Sequence, residues 1–251
     1  MRLVTWNLEG LNDTAVDERT EAAVFTSIVG ARLDQIHAGV KATLPPDVIV
    51  FQEVVDRTYK AHLRQHLPAG GYTVLPESAP DRQVFEVIAF RDGYRLRAYE
   101  QQPLVDSVFG RVLHVVDLEA IGAPSRTVRI LTAHFDSGTA AGNIRMSQLR
   151  QVAELMASRP SVFAGDANLR KAEWLAVKDE LDLVDVWESL GEPSSTRVTW
   201  QRDDFKARFD RVFVTSGMTA NSMAALGTTV VPGIGTRISD HIGLLVELSI
   251  A

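Results

Sequence analysis

The chain alternates apolar and polar positions from its start. Arg2 to Leu8 puts Leu3, Thr5 and Asn7 on one face and Val4, Trp6 and Leu8 on the other, the two-residue period of a strand. Val48–Val54 is a mostly apolar run, as expected of a strand buried on both faces. Short runs rich in Val, Ile, Phe and Thr, bounded by Gly, Pro, Asp or Ser, predict further strands. They fall at Tyr72–Leu75, Phe85–Arg91, Leu96–Tyr99, Arg111–Leu118, Val128–His134, Ser161–Ala164, Arg208–Thr215 and Leu244–Ile250. Helical spacing is rarer. Asp17 to Leu44 carries one face of Val24, Ile28, Ala31, Gln35 and Ala38 and ends at Pro45-Pro46, which cannot continue a helix. Thr58–Leu67 is a shorter helix stopped by Pro68. Asn143–Ser158 shows an apolar stripe of Ile144, Leu149, Val152, Leu155 and Met156, and Lys171–Leu181 is a fourth helix. Strands before and after each helix, several of them hairpin-linked, predict an α/β fold of two packed sheets with outer helices. Gly227–Gly235 reads as a loop within the domain, and residues 1–251 read as a single domain.

Composition narrows the class. The 251 residues suffice for one large core, and 45% hydrophobic with 23% charged residues suits a soluble enzyme. No apolar run nears the roughly 18 residues of a membrane span. The opening MRLVTWNLEG carries one basic residue and no long apolar stretch, so no secretory leader is expected. With no cysteine, disulfides, zinc–thiolate centres and thiol nucleophiles are excluded, which fits a cytoplasmic protein. The formal charge of −6 argues against a general nucleic-acid coat protein. It leaves phosphoester chemistry open, because a divalent cation supplies positive charge inside a carboxylate cluster.

Polar residues close several apolar strands: Asn7 after Thr5-Trp6, Glu53 after Gln52, His134 after Thr132-Ala133, and Asp166 and Asn168 in Gly165-Asp166-Ala167-Asn168. Asp210 opens Asp210-Arg211-Val212-Phe213, and Asp240-His241 precedes the last strand. Singly, each has an ordinary explanation, such as a turn, a cap or a satisfied core histidine. Five separate strands all ending in idle polar groups is a weaker explanation than one rim built to hold a hard cation.

Taken in order, Trp6-Asn7, Gln52-Glu53, His134, Gly165-Asp166-Ala167-Asn168, Asp210 and Ser239-Asp240-His241 resemble the endonuclease/exonuclease/phosphatase superfamily. Thr5-Trp6-Asn7-Leu8-Glu9-Gly10-Leu11, Gly165 to Arg170, Thr199-Trp200 and Arg208 to Phe213 resemble its 5′-tyrosyl-DNA phosphodiesterase branch. His134-Phe135-Asp136-Ser137 and Arg145-Met146-Ser147-Gln148-Leu149 do so too. The resemblance implies a four-layer α/β/β/α sandwich of two mixed sheets with the site at one end. It implies Mg²⁺, or Mn²⁺, held mainly by Glu53, with Asp240 and Asn7 close by. Asp166 is expected to orient and deprotonate water, Asn168 to position it, and His241, fixed by Asp210, to donate to the phosphoryl oxygen, with His134 a further donor. Ser137, Arg170, Trp200 and Phe205 are expected to contact substrate. The expected substrate is a 5′ adduct on a single-stranded DNA end, met by a monomer without a membrane. The alternative is a small phosphate ester or an ordinary nucleic-acid end handled by another activity of the same superfamily.

Overall fold

The computed structural model describes residues 1–9, 45–123, 126–228, 230, 237 and 239–250. The expected Asp17–Leu44 helix and most of the Gly227–Gly235 loop lie outside them. The first sheet is built from β1 (Arg2–Asn7), β2 (Val48–Val54), β3 (Tyr72–Leu75), β4 (Phe85–Arg91) and, from the end of the chain, β13 (Met218–Leu226) and β14 (Gly243–Ile250), in the order β13-β14-β1-β2-β4-β3. The second holds β5 (Tyr94–Pro103), β6 (Val112–Ala120), β7 (Thr127–Thr132), β8 (Ser161–Asp166), β9 (Val184–Asp185) and β12 (Asp210–Val214), in the order β5-β6-β7-β8-β12-β9. A two-stranded ribbon, β10 (Trp200–Arg202) and β11 (Phe205–Ala207), stands apart.

Each six-stranded sheet carries a parallel pair at its centre, β1 with β2 and β7 with β8, flanked by antiparallel strands. The two sheets face each other through a core of Leu3, Val50, Ile88, Val116, Ile130, Val162, Val212 and Val246. Their outer faces are covered by helices. The segment Asp56–Thr58, Tyr59–Leu63 and Arg64–Ala69 buries Tyr59, Leu63 and Leu67 against Val4, Trp6, Ile49 and Phe51. Helices Gly142–Met156 and Lys171–Val177 bury Leu149, Val152, Met156 and Trp174 against Leu131, Phe163 and Phe213. No helix among the described residues is long and apolar enough to cross a membrane.

The differences from the sequence reading have physical causes. Pro68 does not stop its helix but sits inside the last turn, which runs to Ala69; there its missing N–H costs a single bond. The middle of that helix, Tyr59–Leu63, is wound as a π-helix. β13 and the β10–β11 ribbon fall outside the strands that the sequence predicts. Among the described residues β13 pairs only with β14 and is half exposed, so its Met-Thr-Ala-Asn-Ser pattern lacks the apolar alternation of an inner strand.

Candidate active site

Ligand sites in α/β sheets form at the carboxyl ends of parallel strands. Here both parallel pairs end at the same rim. Asn7 ends β1, Glu53 lies at the end of β2, Asp166 ends β8, and His134 follows β7 and bridges to Asp166. Asp210 begins β12 opposite Asp166, and His241 lies just before β14, so two antiparallel strands deliver their amino ends to the same place.

Two local devices aim these side chains. Along β2, Val48 and Val50 face the other sheet while Ile49, Phe51 and Val54 face the helix. Strict alternation would send Glu53 to the helix side. Instead the register against β4 slips by one residue between Phe51 and Val54, and Glu53 takes a left-handed φ of 53°. Such a bulge re-aims a side chain, and it places both Gln52 and Glu53 toward the other sheet. Asn168 is also left-handed, at φ 48°, and its backbone N–H donates to Asp166 Oδ1 at 2.9 Å. The Asp166–Asn168 segment is thus a tight turn that exposes its polar groups to the rim.

Below the rim lies a buried polar tier. Thr5 Oγ1 donates to Gln52 Oε1 at 3.4 Å, and Gln52 Nε2 donates across the sheets to Thr132 Oγ1 at 3.0 Å. Above it, Asn7 donates from Nδ2 to Glu53 Oε1 at 3.2 Å and to Asp166 Oδ2 at 2.9 Å. Its Oδ1 accepts from the Glu9 N–H at 2.8 Å. Asn7 therefore turns its nitrogen, not its oxygen, to the carboxylates and joins one from each sheet.

Glu53, His134 and Asp166 offer one ligand atom each within 4.8 Å of one another. His134 Nδ1 is 3.3 Å from Glu53 Oε1, and its Nε2 is 3.3 Å from Asp166 Oδ2. Burial pushes the His134 imidazole down to about 4, and the nearby positive Arg111 and His241 act the same way against Asp166. It is therefore a neutral ring in this cluster. Burial also raises the Glu53 carboxyl, with Asp166 adding repulsion and the Asn7 hydrogen bond opposing. Two carboxylates beside a neutral imidazole form an oxygen-rich set in excess of the local positive charge, which fits a hard divalent cation. Asp240 does not join this group.

His241 behaves in the opposite way. Its Nδ1 is 2.8 Å from Asp210 Oδ2, and its Nε2 is 3.6 Å from Asp166 Oδ2. Burial disfavours its charge, but Asp210, Asp166 and Asp240 together raise its pKa to about 10. It is an imidazolium, with the Nδ1 proton fixed on Asp210 and the Nε2 N–H directed into the site. Trp6 Nε1 holds the His241 carbonyl at 3.2 Å. A Cβ on Gly227 or Gly243 would come within 2.4 or 2.9 Å of the Trp6 ring, so both positions need glycine.

The cleft over these residues encloses about 700 Å³. Ser137, Arg170, Trp200 and Phe205 all line it, with Glu53, His134, Asp166, Asn168, Asp240 and His241. Asn7 and Asp210 are buried behind it. Trp200 donates from Nε1 to Asp240 Oδ2 at 2.8 Å and packs on Phe209 at 5.3 Å. Phe205, at the tip of the ribbon, is 75% exposed. The segment that includes Arg145 and Gln148 shapes the Ser137 loop. Buried Arg145 donates to the Asp136 and Gly138 carbonyls at 2.9 and 2.8 Å and pairs with Glu173 at 2.6 Å. Gln148 holds Asp136 Oδ2 at 2.6 Å. Arg170 donates to the Gly138 carbonyl at 3.1 Å.

Sequence reasoning missed Glu9, Arg111 and Phe209, which also line the cleft. Glu9 accepts from the Asp240 N–H at 2.8 Å, and burial raises its carboxyl. Glu9 lies two residues after Asn7, within the Thr5–Leu11 segment. Arg111 sits in a connection whose local sequence carries no sign of the site.

A model of the Endonuclease/Exonuclease/phosphatase family matches residues 4–241. Tyrosyl-DNA phosphodiesterase 2 of Homo sapiens is 28% identical over 268 residues, covering 99% of this chain and 68% of that protein. The chain spans about two-thirds of the length of the curated relatives it matches. A crystal structure of humanized D. rerio TDP2 superposes with a TM-score of 0.79 at 26% identity, over 99% of this chain and 98% of that one. D. rerio TDP2 complexed with single strand DNA product gives a TM-score of 0.81 at 24% identity, over 99% and 98%.

Proposed function

The chain belongs to the endonuclease/exonuclease/phosphatase family, and from that premise we propose that it is a phosphodiesterase that frees a DNA 5′ end from a tyrosyl adduct in DNA repair. Residues 1–251 act in this reading as one catalytic domain. The supporting observation is the pair of carboxylates, Glu53 from one sheet and Asp166 from the other, held by the single Asn7 amide at 3.2 and 2.9 Å. The names of its full-length relatives, tyrosyl-DNA phosphodiesterase 2, favour the tyrosyl ester. The basic and aromatic lining, Arg170, Arg202, Lys206, Trp200 and Phe205, suits a single strand.

Glu53, with Asp166 and His134 beside it, would hold Mg²⁺, which neutralises charge and polarises a phosphoryl oxygen when bound. The chain's own groups do the rest. Asp166 orients a water and takes its proton, and Asn168 narrows the water's position. The oxygen of that water bonds to phosphorus, the bond from phosphorus to the tyrosine oxygen breaks, and the DNA keeps its 5′-phosphate. His241, cationic and fixed on Asp210, donates from Nε2 to the phosphoryl oxygen as charge builds. The phenol leaves readily, because its ordinary pKa is only about 10.

A panel of 5′-tyrosyl oligonucleotide, abasic duplex, plain single strand and sugar phosphate tests this reading. The tyrosyl oligonucleotide should be hydrolysed fastest with Mg²⁺ and not at all with a chelator. Asp166→Asn should lower kcat by about 10²–10⁴-fold. Faster hydrolysis of the plain strand or the sugar phosphate would overturn the substrate, and near-native turnover by folded Asp166→Asn would overturn the mechanism.

A further inference from the structure

The groove at the rim continues beyond the catalytic cleft. Arg111 lines the cleft and also a second cavity of about 470 Å³, whose other walls include Arg82, Gln83, Glu86 and Phe109. The ribbon that walls the cleft and this second cavity lie on opposite sides of the Glu53–Asp166 pair. The ribbon bearing Trp200 and Phe205 stands beside His241, at the β14 and β12 side of the sheets. The second cavity stands over the β4 and β6 side, between the β3–β4 and β5–β6 connections. A phosphodiester has two ester arms that leave phosphorus in different directions, and this rim offers a trough for each.

Chemistry decides which arm goes where. On β4, Phe85 and Val87 face the helix while Ile88 faces the other sheet, so Glu86 stands at the mouth of the inter-sheet core. It is only 4% exposed, yet among the described residues its one ionic neighbour is His114, whose Nε2 is 3.7 Å away. That is too far for a hydrogen bond, and His114 Nδ1 is already engaged by the Tyr99 hydroxyl at 3.0 Å. The Glu86 carboxylate makes no side-chain hydrogen bond among the described residues, and it lines the cavity, where a ligand can supply a donor. Arg82 spans the lip to the Gly110 carbonyl at 2.6 Å, and Arg111 sits over the Phe109 ring at 5.6 Å. These two cations disfavour a cationic guest. Glu86 is buried deeper than Arg82 or Arg111 and offers an acceptor, which the phosphate of a further nucleotide cannot use. A neutral N–H donor flanked by exposed apolar surface, Val108 and Phe109, meets both conditions.

Building on the tyrosyl-phosphodiester reading, we propose that this cavity is a leaving-group subsite that binds the peptide main chain flanking the adduct tyrosine, with Glu86 accepting a main-chain N–H. The enzyme then selects tyrosine within a peptide over a bare aryl group. The test compares kcat/KM on one oligonucleotide bearing, at its 5′-phosphate, either acetyl-Gly-Tyr-Gly-amide or 4-ethylphenol. The peptide ester should be favoured about tenfold, the worth of one hydrogen bond to a charged acceptor. That ratio should fall toward one in Glu86→Leu, be partly kept in Glu86→Gln, and fall again in Gln83→Trp, which fills the cavity from its exposed lip without touching the core. A ratio near one in the native protein, or a ratio untouched by both Glu86→Leu and Gln83→Trp, overturns the subsite alone. Hydrolysis of neither ester overturns the phosphodiesterase reading and the subsite with it.

Discussion

Gly165 offers a sharp test of how the two ends of β7 and β8 are held. A Cβ built there would lie 2.4 Å from the Ala133 carbonyl oxygen and 3.2 Å from the Ala133 nitrogen. Ordinary van der Waals contact begins at 3.4 Å, a full ångström further. The obstacle is backbone, so no side-chain rotation relieves it. Gly165→Ala must push apart the segment that carries His134 from the strand that ends in Asp166. The 3.3 Å separation of His134 Nε2 and Asp166 Oδ2 would then widen by most of that ångström. A misplacement of about 1 Å at a reacting centre costs on the order of 10²-fold in rate. The overpacking itself costs about 1–3 kcal/mol, or roughly 2–4 °C in Tm for each kcal/mol at this size. Turnover of the tyrosyl oligonucleotide and thermal unfolding measure the two effects separately. Gly93→Ala is the matched control, because nothing lies within 4 Å of its Cβ position. A Gly165→Ala protein with native Tm and turnover within about twofold of native would refute the claim that the β7–β8 approach sets the catalytic spacing.

Two further outcomes follow from the site. The folded-state pKa of His241 stands near 10, above the ordinary 6.5. In chelator-treated protein its contribution to stability is therefore complete below about pH 6.5 and lost as pH rises through 10. The Tm gap between native and His241→Gln should shrink over that window; a gap constant from pH 7 to 10.5 would contradict the charged imidazole. Trp200→Phe should keep ring packing on Phe209 but release Asp240, whereas Trp200→Ala should also remove a stacking surface worth about 1–3 kcal/mol per base. KM for oligonucleotides should rise much more in Trp200→Ala than in Trp200→Phe, and equal effects on KM would assign Trp200 to holding Asp240 alone.

Much of the scaffold was legible because inner strands advertise themselves. Val48–Val54 and Phe85–Arg91 have the boundaries read from the sequence, since each lies inside its sheet with both faces covered and must be apolar; the edge strand Tyr72–Leu75 has them too, because Tyr72, Val74 and Leu75 are buried. The edge strand β13 and the short ribbon were illegible, because partial exposure removes the pressure on their composition. At the site, the strand-ending residues could be named because polar groups there have no packing role. What could not be read was how they are turned. Nothing in Val-Phe-Gln-Glu-Val announces a bulge with left-handed Glu53, and only three-dimensional pairing with β4 reveals it. Arg111 and Glu86 escaped notice for a related reason. Each looks like an ordinary charge near the start of a strand until the facing sheet shows what it confronts.

The Thr5–Gln52–Thr132 tier has a consequence for how such a protein diversifies. It locks the two halves at one height, so the distance between the carboxylates is inherited from deep in the scaffold and is indifferent to what happens above it. The cleft and the second cavity are walled instead largely by connections and a small ribbon. Selection can therefore rewrite what the enzyme recognises, one trough at a time, without retuning the machinery that breaks the bond.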